Sequence, residues 1–532
     1  MLEAESSPLS FLLGPSALPP TADRAPAPPQ AGALFNPSLN DRQREAVALC
    51  CAEGGADVAL VHGPFGTGKT TTLVEVVRQR VRLGQRVLVC APSNAAVDNL
   101  AAALLASDPG LALARAGIPE RVDARVQDAT LEALQRRQPG AELVKRLYKE
   151  ASEALRKGDK WRRAADGGAV RREAKREGRA LLKDARAMEA QTAQAALRKA
   201  SVLCGTLTGF ASALRDAGDD AEASQFDVVV IDEASQATTP AVLLTLPHIR
   251  ASASRRPCVI LAGDHRQLPP TVLTTDRVAS AALQATLFEE LMERDGGGVG
   301  GCGPLDSKKM PDIPAAAAAV LAGTATAGSA AAAGGRISVA LTDQYRMPPP
   351  LMAFPAAAFY GSALAARGEP QLSGDSAVPR SDEAELLLRG ECLFELIDTA
   401  GAGFEEEVGG SQRGGEGDRG SRLLQEYSTL NRQQAKLTAR VAAELVETWG
   451  VHPGDVGVVT PYNAHAALLR DELRAIAAAG GAAWAEEVEV ATVDGFQGRE
   501  KTAIVLDAVR SNADAEARVP APPPPTGPHA GC

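Results

Sequence analysis

Short apolar runs alternate along the chain with longer polar-rich segments whose apolar positions recur every three or four residues. A compact apolar run bounded by turn residues marks a strand buried on both faces, and the three-to-four spacing marks a helix with one buried face. Strands are therefore predicted at Val58–His62, Arg86–Ala91, Val202–Cys204, Phe226–Ile231, Pro257–Ala262 and Ile337–Leu341. Four more follow at Leu393–Ile397, Val456–Val459, Val488–Thr492 and Thr502–Leu506. A helix over Leu39–Leu49 can be capped by Asn40 or Asp41, and a second runs to about Leu83. Residues 101–200 read as helical throughout, with Leu181, Ala185 and Met188 on one face. No strand is needed there, so the stretch is an inserted helical subdomain. Strands alternating with helices give the α/β class, with parallel sheets flanked by helices.

Composition places these elements in a soluble globular protein: 45% of the 532 residues are hydrophobic and 23% charged. The length allows roughly two to four domains. A Pro- and Ala-rich tail covers residues 1–33 and a first domain 34–294. A Gly- and Ala-rich low-complexity insertion covers 295–335, a second domain 336–512 and a Pro-rich tail 513–532. Gly401–Ser421 reads as an exposed loop. The formal charge of -10 argues against wholesale adhesion to nucleic acid or anionic membrane, but not against a local basic face. Between Ala141 and Ala200, 17 Lys or Arg stand against 9 Asp or Glu, which suits either a solvated helical surface or a nucleic-acid-facing one. The uncharged run Ile313–Gly335 is too weakly apolar to cross a bilayer, and the N-terminus lacks a secretory pattern. No membrane partner is expected. Eight scattered cysteines without paired metal-ligand spacing read as free thiols in a reducing compartment, cytoplasmic or nuclear.

The chemistry begins at Asp57–Leu73, DVALVHGPFGTGKTTTL, a strand, a glycine-rich turn and a helix start with the spacing G-x-x-x-x-G-K-T. Gly63, Gly66 and Gly68 let backbone N–H groups turn toward phosphate oxygens. Thr67 and Thr71 flank Lys69, which brings a mobile charge, and Thr70, whose hydroxyl suits magnesium. The strand at Phe226–Ile231 ends in Asp232 and Glu233, two acids that are costly after an apolar run unless they meet a cation or a solvated cleft. Asp232 suits the metal, and Glu233 suits polarising a water. Gln267, after the next strand, can feel a terminal phosphate. Ser93, Asn94, Thr206 and Thr208 emerge at strand ends on the same edge, as helix caps or as contacts to a nucleic-acid backbone.

Taken in order, GPFGTGKT, APSNAAVDNL, TLTG, VVVIDEAS, LAGDHRQLPP, QYRM, VVTPYNA and TVDGFQGREK resemble the superfamily 1B helicases of the nonsense-decay class, closest to the immunoglobulin-mu-binding-protein type. The resemblance implies two RecA-like domains with ATP and magnesium between them and a motor stepping 5′ to 3′ on single-stranded RNA or DNA. It implies that Gln43 reads adenine, that Tyr345 stacks on it, and that Arg346 reaches the terminal phosphate from the second domain. Gly498 and Glu500 would approach phosphates and ribose. Thr460, Pro461, Tyr462 and Thr492 would join Ser93, Asn94, Thr206 and Thr208 along the strand. Phe65 stands where proline is usual, Pro348 where histidine is frequent, Gln434 where glutamate is common and His465 where glutamine is common. Family members continue past VRSN, here Val509–Asn512, into a segment with a second phosphate-contacting arginine that is not seen in this text, and little precedes Leu34. That departure predicts ATP binding with poor turnover, the behaviour of a nucleotide-dependent nucleic-acid clamp.

Overall fold

The computed structural model describes residues 34–51, 58–160, 168–216, 218, 222–250, 258–274, 276–295, 337–367, 394–399, 402–408, 429–480 and 483–510. The expected tails, most of the low-complexity insertion and most of the Gly401–Ser421 loop lie outside them. The chain divides into two compact units, Met1–Glu369 and Pro370–Cys532.

The first unit is built on one parallel sheet of seven strands: β1 Val58–His62, β2 Val87–Ala91, β3 Leu113–Arg115, β4 Val202–Thr206, β5 Val228–Ile231, β6 Cys258–Gly263 and β7 Ser338–Ala340. Their spatial order is β3-β4-β2-β5-β6-β1-β7. Parallel pairing demands helical crossovers that cover both faces. Accordingly β1 and β2 are buried along their whole length, and two apolar clusters line the sheet. One cluster holds Leu60, Leu88, Phe226 and Leu261, the other Val61, Val89, Val230 and Ile260. Helices α1 Asp41–Cys51, α2 Lys69–Arg82 and α3 Asn94–Ser107 pack on the second cluster through Val47, Val76 and Leu100. α1 opens with a reciprocal capping box, in which Asn40 Oδ1 accepts from Gln43 N–H and Gln43 Oε1 accepts from Asn40 N–H. The long pair α4 Ala141–Lys160 and α5 Gly168–Lys199 occupies most of the expected helical insertion. Gly178 of α5 lies so close to Leu155 of α4 that an added Cβ would come within 2.7 Å of Leu155 Cγ.

Two boundaries differ from the sequence reading. The stretch read as all helix contains β3, the outer strand beside β4, anchored by Arg115. Arg115 is fully buried, donates from Nε to Asp98 Oδ1 at 2.7 Å and from Nη2 to Asn94 Oδ1 at 3.0 Å, and looks from sequence like one more surface charge. Residues 336–367 were expected to open the second domain, yet β7 pairs with β1, and Leu341 N–H donates to His62 O. A short β8 Asp343–Gln344, paired with β9 Ala365–Ala366, and helix α6 Pro349–Tyr360 follow within the same unit. Arg346 therefore belongs to the first unit, not the second.

The second unit, described by itself, contains the two-residue pair β10 Glu407–Val408 with β11 Thr429–Leu430, and a parallel sheet of β12 Val456–Thr460, β13 Glu489–Thr492 and β14 Ala503–Leu506 in the order β13-β12-β14. α7 Arg432–Glu447 and α8 Asn463–Ala479 cover that sheet through Ala439, Ala443, Leu469 and Leu473. Phe394–Ile397, the described part of the strand expected at Leu393–Ile397, carries no strand pairing, and Phe394 and Leu396 are exposed. A strand needs at least one hydrogen-bonding neighbour, and this run has none among the described residues.

Candidate functional site

The glycine-rich loop joins β1 to α2. Gly66 and Gly68 adopt φ of 64° and 78°, left-handed values that β-carbon sterics disfavour for other residues. Space is as restrictive as conformation: a Cβ on Gly66 would lie 2.5 Å from Arg346 Cβ, and one on Gly68 would lie 2.4 Å from Gln43 Nε2. The backbone of Gly63 is tied down by its N–H donating to Gly263 O on β6, and Thr67 Oγ1 donates to Pro64 O at 2.7 Å. Thr70 and Thr71 lie in the first turn of α2, Thr71 exposed and Thr70 half-buried.

Asp232 and Glu233 follow β5, two strands away from β1 with β6 between. Glu233 is held at φ 52°, a strained conformation for a side-chain-bearing residue, at the turn that aims it at the loop. Its Oε1 accepts from Lys69 Nζ at 2.6 Å and its Oε2 from Gln236 Nε2 at 2.9 Å, while Asp232 Oδ1 stands 3.5 Å from the same ammonium. Burial alone would pull the Lys69 ammonium toward neutrality, but the charges of Glu233 and Asp232 outweigh it and hold its pKa above the ordinary lysine range. The Asp232 carboxyl is also raised: burial lifts its pKa, Lys69 opposes, and the neighbouring Glu233 adds to the rise. One cation facing two carboxylates at the mouth of a phosphate loop is an arrangement that a magnesium–phosphate pair can replace charge for charge. Thr70 and Asp232 are the oxygen donors that suit the metal.

Gln43 is buried. Its Nε2 donates to Thr67 O at 3.1 Å and its Oε1 is used in the α1 capping box, so the carboxamide braces the loop from behind. Tyr345 is 45% exposed, with its N–H donating to Gly66 O and its hydroxyl accepting from Asn40 Nδ2 at 2.8 Å. The tyrosine ring is thus presented beside the loop. Arg346 follows directly, its N–H bonded to Gln344 Oε1. Gln267, in the turn after β6, donates from Nε2 to Asp264 Oδ2 at 2.7 Å.

On the same C-terminal edge, Ser93 caps α3 by accepting from Ala96 N–H at 3.1 Å, and Asn94 Oδ1 is taken by Arg115. Thr206 Oγ1 accepts from Gly209 N–H, whereas Thr208 is exposed. In the second unit Thr460 is fully buried and its hydroxyl has no partner; Pro461 is exposed, and Tyr462 is half-buried with its hydroxyl accepting from Arg510 Nε at 2.6 Å. Thr492 accepts from Gly495 N–H at 3.3 Å, and Gly498, at φ 75°, and Glu500 are exposed.

A family model described as an AAA domain matches residues 38–275, and a second of the same description matches 329–519. DNA-binding protein SMUBP-2 of Mesocricetus auratus is 33% identical over 515 residues, which cover 96% of this chain and 43% of that protein. DNA polymerase alpha-associated DNA helicase A of Schizosaccharomyces pombe is 31% identical over 90% of this chain and 59% of its own length. ATP-dependent helicase NAM7 of Saccharomyces cerevisiae is 30% identical over 89% and 38%. The chain belongs to the superfamily 1 helicases. It spans about half the length of the curated relatives it matches.

Sequence reasoning passed over three polar residues at the heart of this superfamily 1 site. His62 closes β1, Asp264 follows β6 and Tyr360 ends α6, and all three are buried together. The ligand atoms of His62, Asp264 and His265 lie within 4.8 Å of one another, a spacing compatible with a metal. Asp264, however, already accepts from His62 Nε2, Tyr360 Oη, Gln267 Nε2 and Arg266 N–H. A carboxylate so fully engaged is a hydrogen-bond hub. Burial pulls its pKa up, but the bonds from His62, Tyr360 and Gln267 prevail and hold it below the usual aspartate value. The departures noted in the sequence also find places. Phe65 meets Tyr360 edge-on at 5.6 Å, and His465 accepts from Asn431 N–H through Nδ1 while its Nε2 donates to Asp507 at 2.8 Å.

Proposed function

We propose that this chain is an ATP hydrolase that moves along single-stranded RNA or DNA, a helicase motor stepping 5′ to 3′. One observation carries the reading: the three consecutive strands β5, β6 and β1 deliver Asp232 and Glu233, then Asp264 and Gln267, then the phosphate loop to one edge of one sheet. Among open parallel sheets that edge is where ligands bind.

In this reading Lys69 leaves Glu233 for the outer phosphates, and Glu233, freed of its partner, takes a proton from the attacking water. Thr70 and Asp232 would hold magnesium, which when bound would offset phosphate charge. The backbone of Gly63, Gly66, Thr67 and Gly68 cradles the phosphates, with Thr71 beside them. Tyr345 stacks on the base, Gln43 keeps the loop in shape with its remaining N–H turned to adenine, Arg346 meets the terminal phosphate, and Gln267 stands beside it, where it can feel whether that phosphate is present. Gly498 and Glu500 are assigned to phosphates and ribose by the family resemblance alone. Ser93, Asn94, Thr206, Thr208, Pro461, Tyr462 and Thr492 line the strand, while buried Thr460 acts through its backbone. The buried thiols of Cys90 and Cys204 suit a reducing cytoplasmic or nuclear setting, and no described helix is long and apolar enough to cross a membrane.

ATP hydrolysis measured with and without single-stranded oligonucleotide, beside filter binding at several salt concentrations, tests the proposal. Stimulated turnover and a salt-dependent affinity are expected. Turnover indifferent to oligonucleotide, together with no salt slope, would remove the nucleic-acid part.

A further inference from the structure

The Asp264 carboxylate lies between four parts of the first unit. His62, the residue before the phosphate loop, donates from Nε2 at 3.0 Å; Gln267 donates from Nε2 at 2.7 Å; Tyr360, at the end of α6, donates from its hydroxyl at 2.7 Å. Asp264 N–H in turn donates to Ser235 Oγ at 3.1 Å, in the turn that carries Glu233. Asp264 is wholly buried and an ionised carboxylate can only accept. The end of the Gln267 carboxamide that faces it must therefore be Nε2, and Oε1 points away from Asp264. An outward oxygen accepts a hydrogen from a water; an outward amide nitrogen would not.

We propose that Tyr360, acting through Asp264, is a positioning residue for hydrolysis: together with His62 it fixes the Gln267 carboxamide so that its oxygen orients the attacking water. Tyr360 and Gln267 bond the same oxygen, Asp264 Oδ2, and the Gln267 side chain also hydrogen-bonds Tyr360, so the hydroxyl and the carboxylate together hold the carboxamide. Tyr360 is also the far end of the helix that begins just after Tyr345 and Arg346, and its ring packs on Phe65 of the loop. A shift of α6 is thereby read at Gln267. This rests on the proposed ATP hydrolysis, and the test separates the two.

Tyr360→Phe removes the hydroxyl and keeps the ring that packs on Phe65, so the fold is retained. It is made in the natural chain and in Gln267→Ala, and four proteins are compared for oligonucleotide-stimulated kcat, KM for ATP, and the affinity ratio of a non-hydrolysable ATP analogue to ADP. The expected result is a kcat lowered about 10-fold by Tyr360→Phe with KM unchanged, and no further loss when Gln267 is already alanine, because residues acting as one unit are not additive. An equal loss in both backgrounds, or none in either, overturns the relay. Should the natural chain bind nucleotide without turning over, the hydrolysis reading fails and the relay is judged on the affinity ratio. A drop caused by Tyr360→Phe only where Gln267 is present supports the relay, and a ratio unaffected by Tyr360→Phe overturns it.

Discussion

Replacing Glu233 by glutamine separates binding from turnover. The carboxylate is 2.6 Å from the Lys69 ammonium, and both side chains are largely buried. At an effective dielectric of about 20, a pair at that distance attracts by about 6 kcal/mol before desolvation is subtracted. The net worth of a charge-assisted hydrogen bond is about 1.5–3 kcal/mol, against about 1 for a neutral one. Glutamine keeps the neutral bond, since its oxygen still accepts from Lys69, and keeps the backbone shape, since both residues bear the same load at φ 52°. Glu233→Gln thus removes about 0.5–2 kcal/mol that nucleotide must otherwise overcome to claim Lys69. ATP and ADP are expected to bind about 2- to 30-fold more tightly while kcat falls by about 10² or more through loss of the base. Fluorescent-nucleotide titration and steady-state ATPase read the two quantities on the same preparation. A variant that binds nucleotide more weakly, or one that hydrolyses ATP at the natural rate, would refute the view that Glu233 occupies Lys69 in the empty site and serves as base in the filled one.

Gly66→Ala imposes a left-handed conformation on a β-carbon and drives it against Arg346, 2.5 Å away. A loss of at least about 1–2 kcal/mol is expected in urea unfolding, with ATPase reduced as the Tyr345–Arg346 segment is pushed off the loop; unchanged values for both would contradict the packing. Asp98→Ala strips the buried Arg115 of its carboxylate and should cost about 3–5 kcal/mol of stability by the same assay, a cost that a surface arginine would not incur. His265 is lowered from 6.5 to about 4, chiefly by burial and then by His62 and Arg266. Between those values the unfolded chain binds the extra proton, so its contribution is whole above pH 6.5 and is lost as pH falls toward 4, by at most about 3 kcal/mol. Urea midpoints at pH 7 and 4.5 should therefore fall further apart in the natural chain than in His265→Gln, and parallel behaviour would reject the assignment.

The phosphate loop and the Asp232–Glu233 pair were legible because each is complete within one strand and the turn after it. A buried strand of five residues, two glycines at fixed spacing and a lysine carry their meaning without reference to anything distant. Gln43 was singled out only through the family resemblance, and its bonds to Asn40 and Thr67 show a brace that its position alone did not suggest. The α/β class followed from the same local alternation, and with it the expectation that the chemistry gathers at one sheet edge.

Tertiary structure decided what depends on partners far apart in the chain. Three residues of β3 are too short a run to stand out from a helical background, and they become a strand only because β4 offers an open edge and Asp98 a counter-charge for Arg115. β7 joins the first unit because β1 still has an unpaired side after β6 has taken the other. The Asp264 hub is the clearest case. Its partners His62 and Tyr360 lie 202 and 96 residues away in sequence. A histidine, an aspartate and a tyrosine scattered in this way are unremarkable polar residues until burial denies them water. Each must then find its hydrogen bonds in the others, and a buried polar group without a partner costs more than the bond itself supplies. Sequence alone determined that a phosphate-binding edge exists; the fold determined which buried groups hold it in shape.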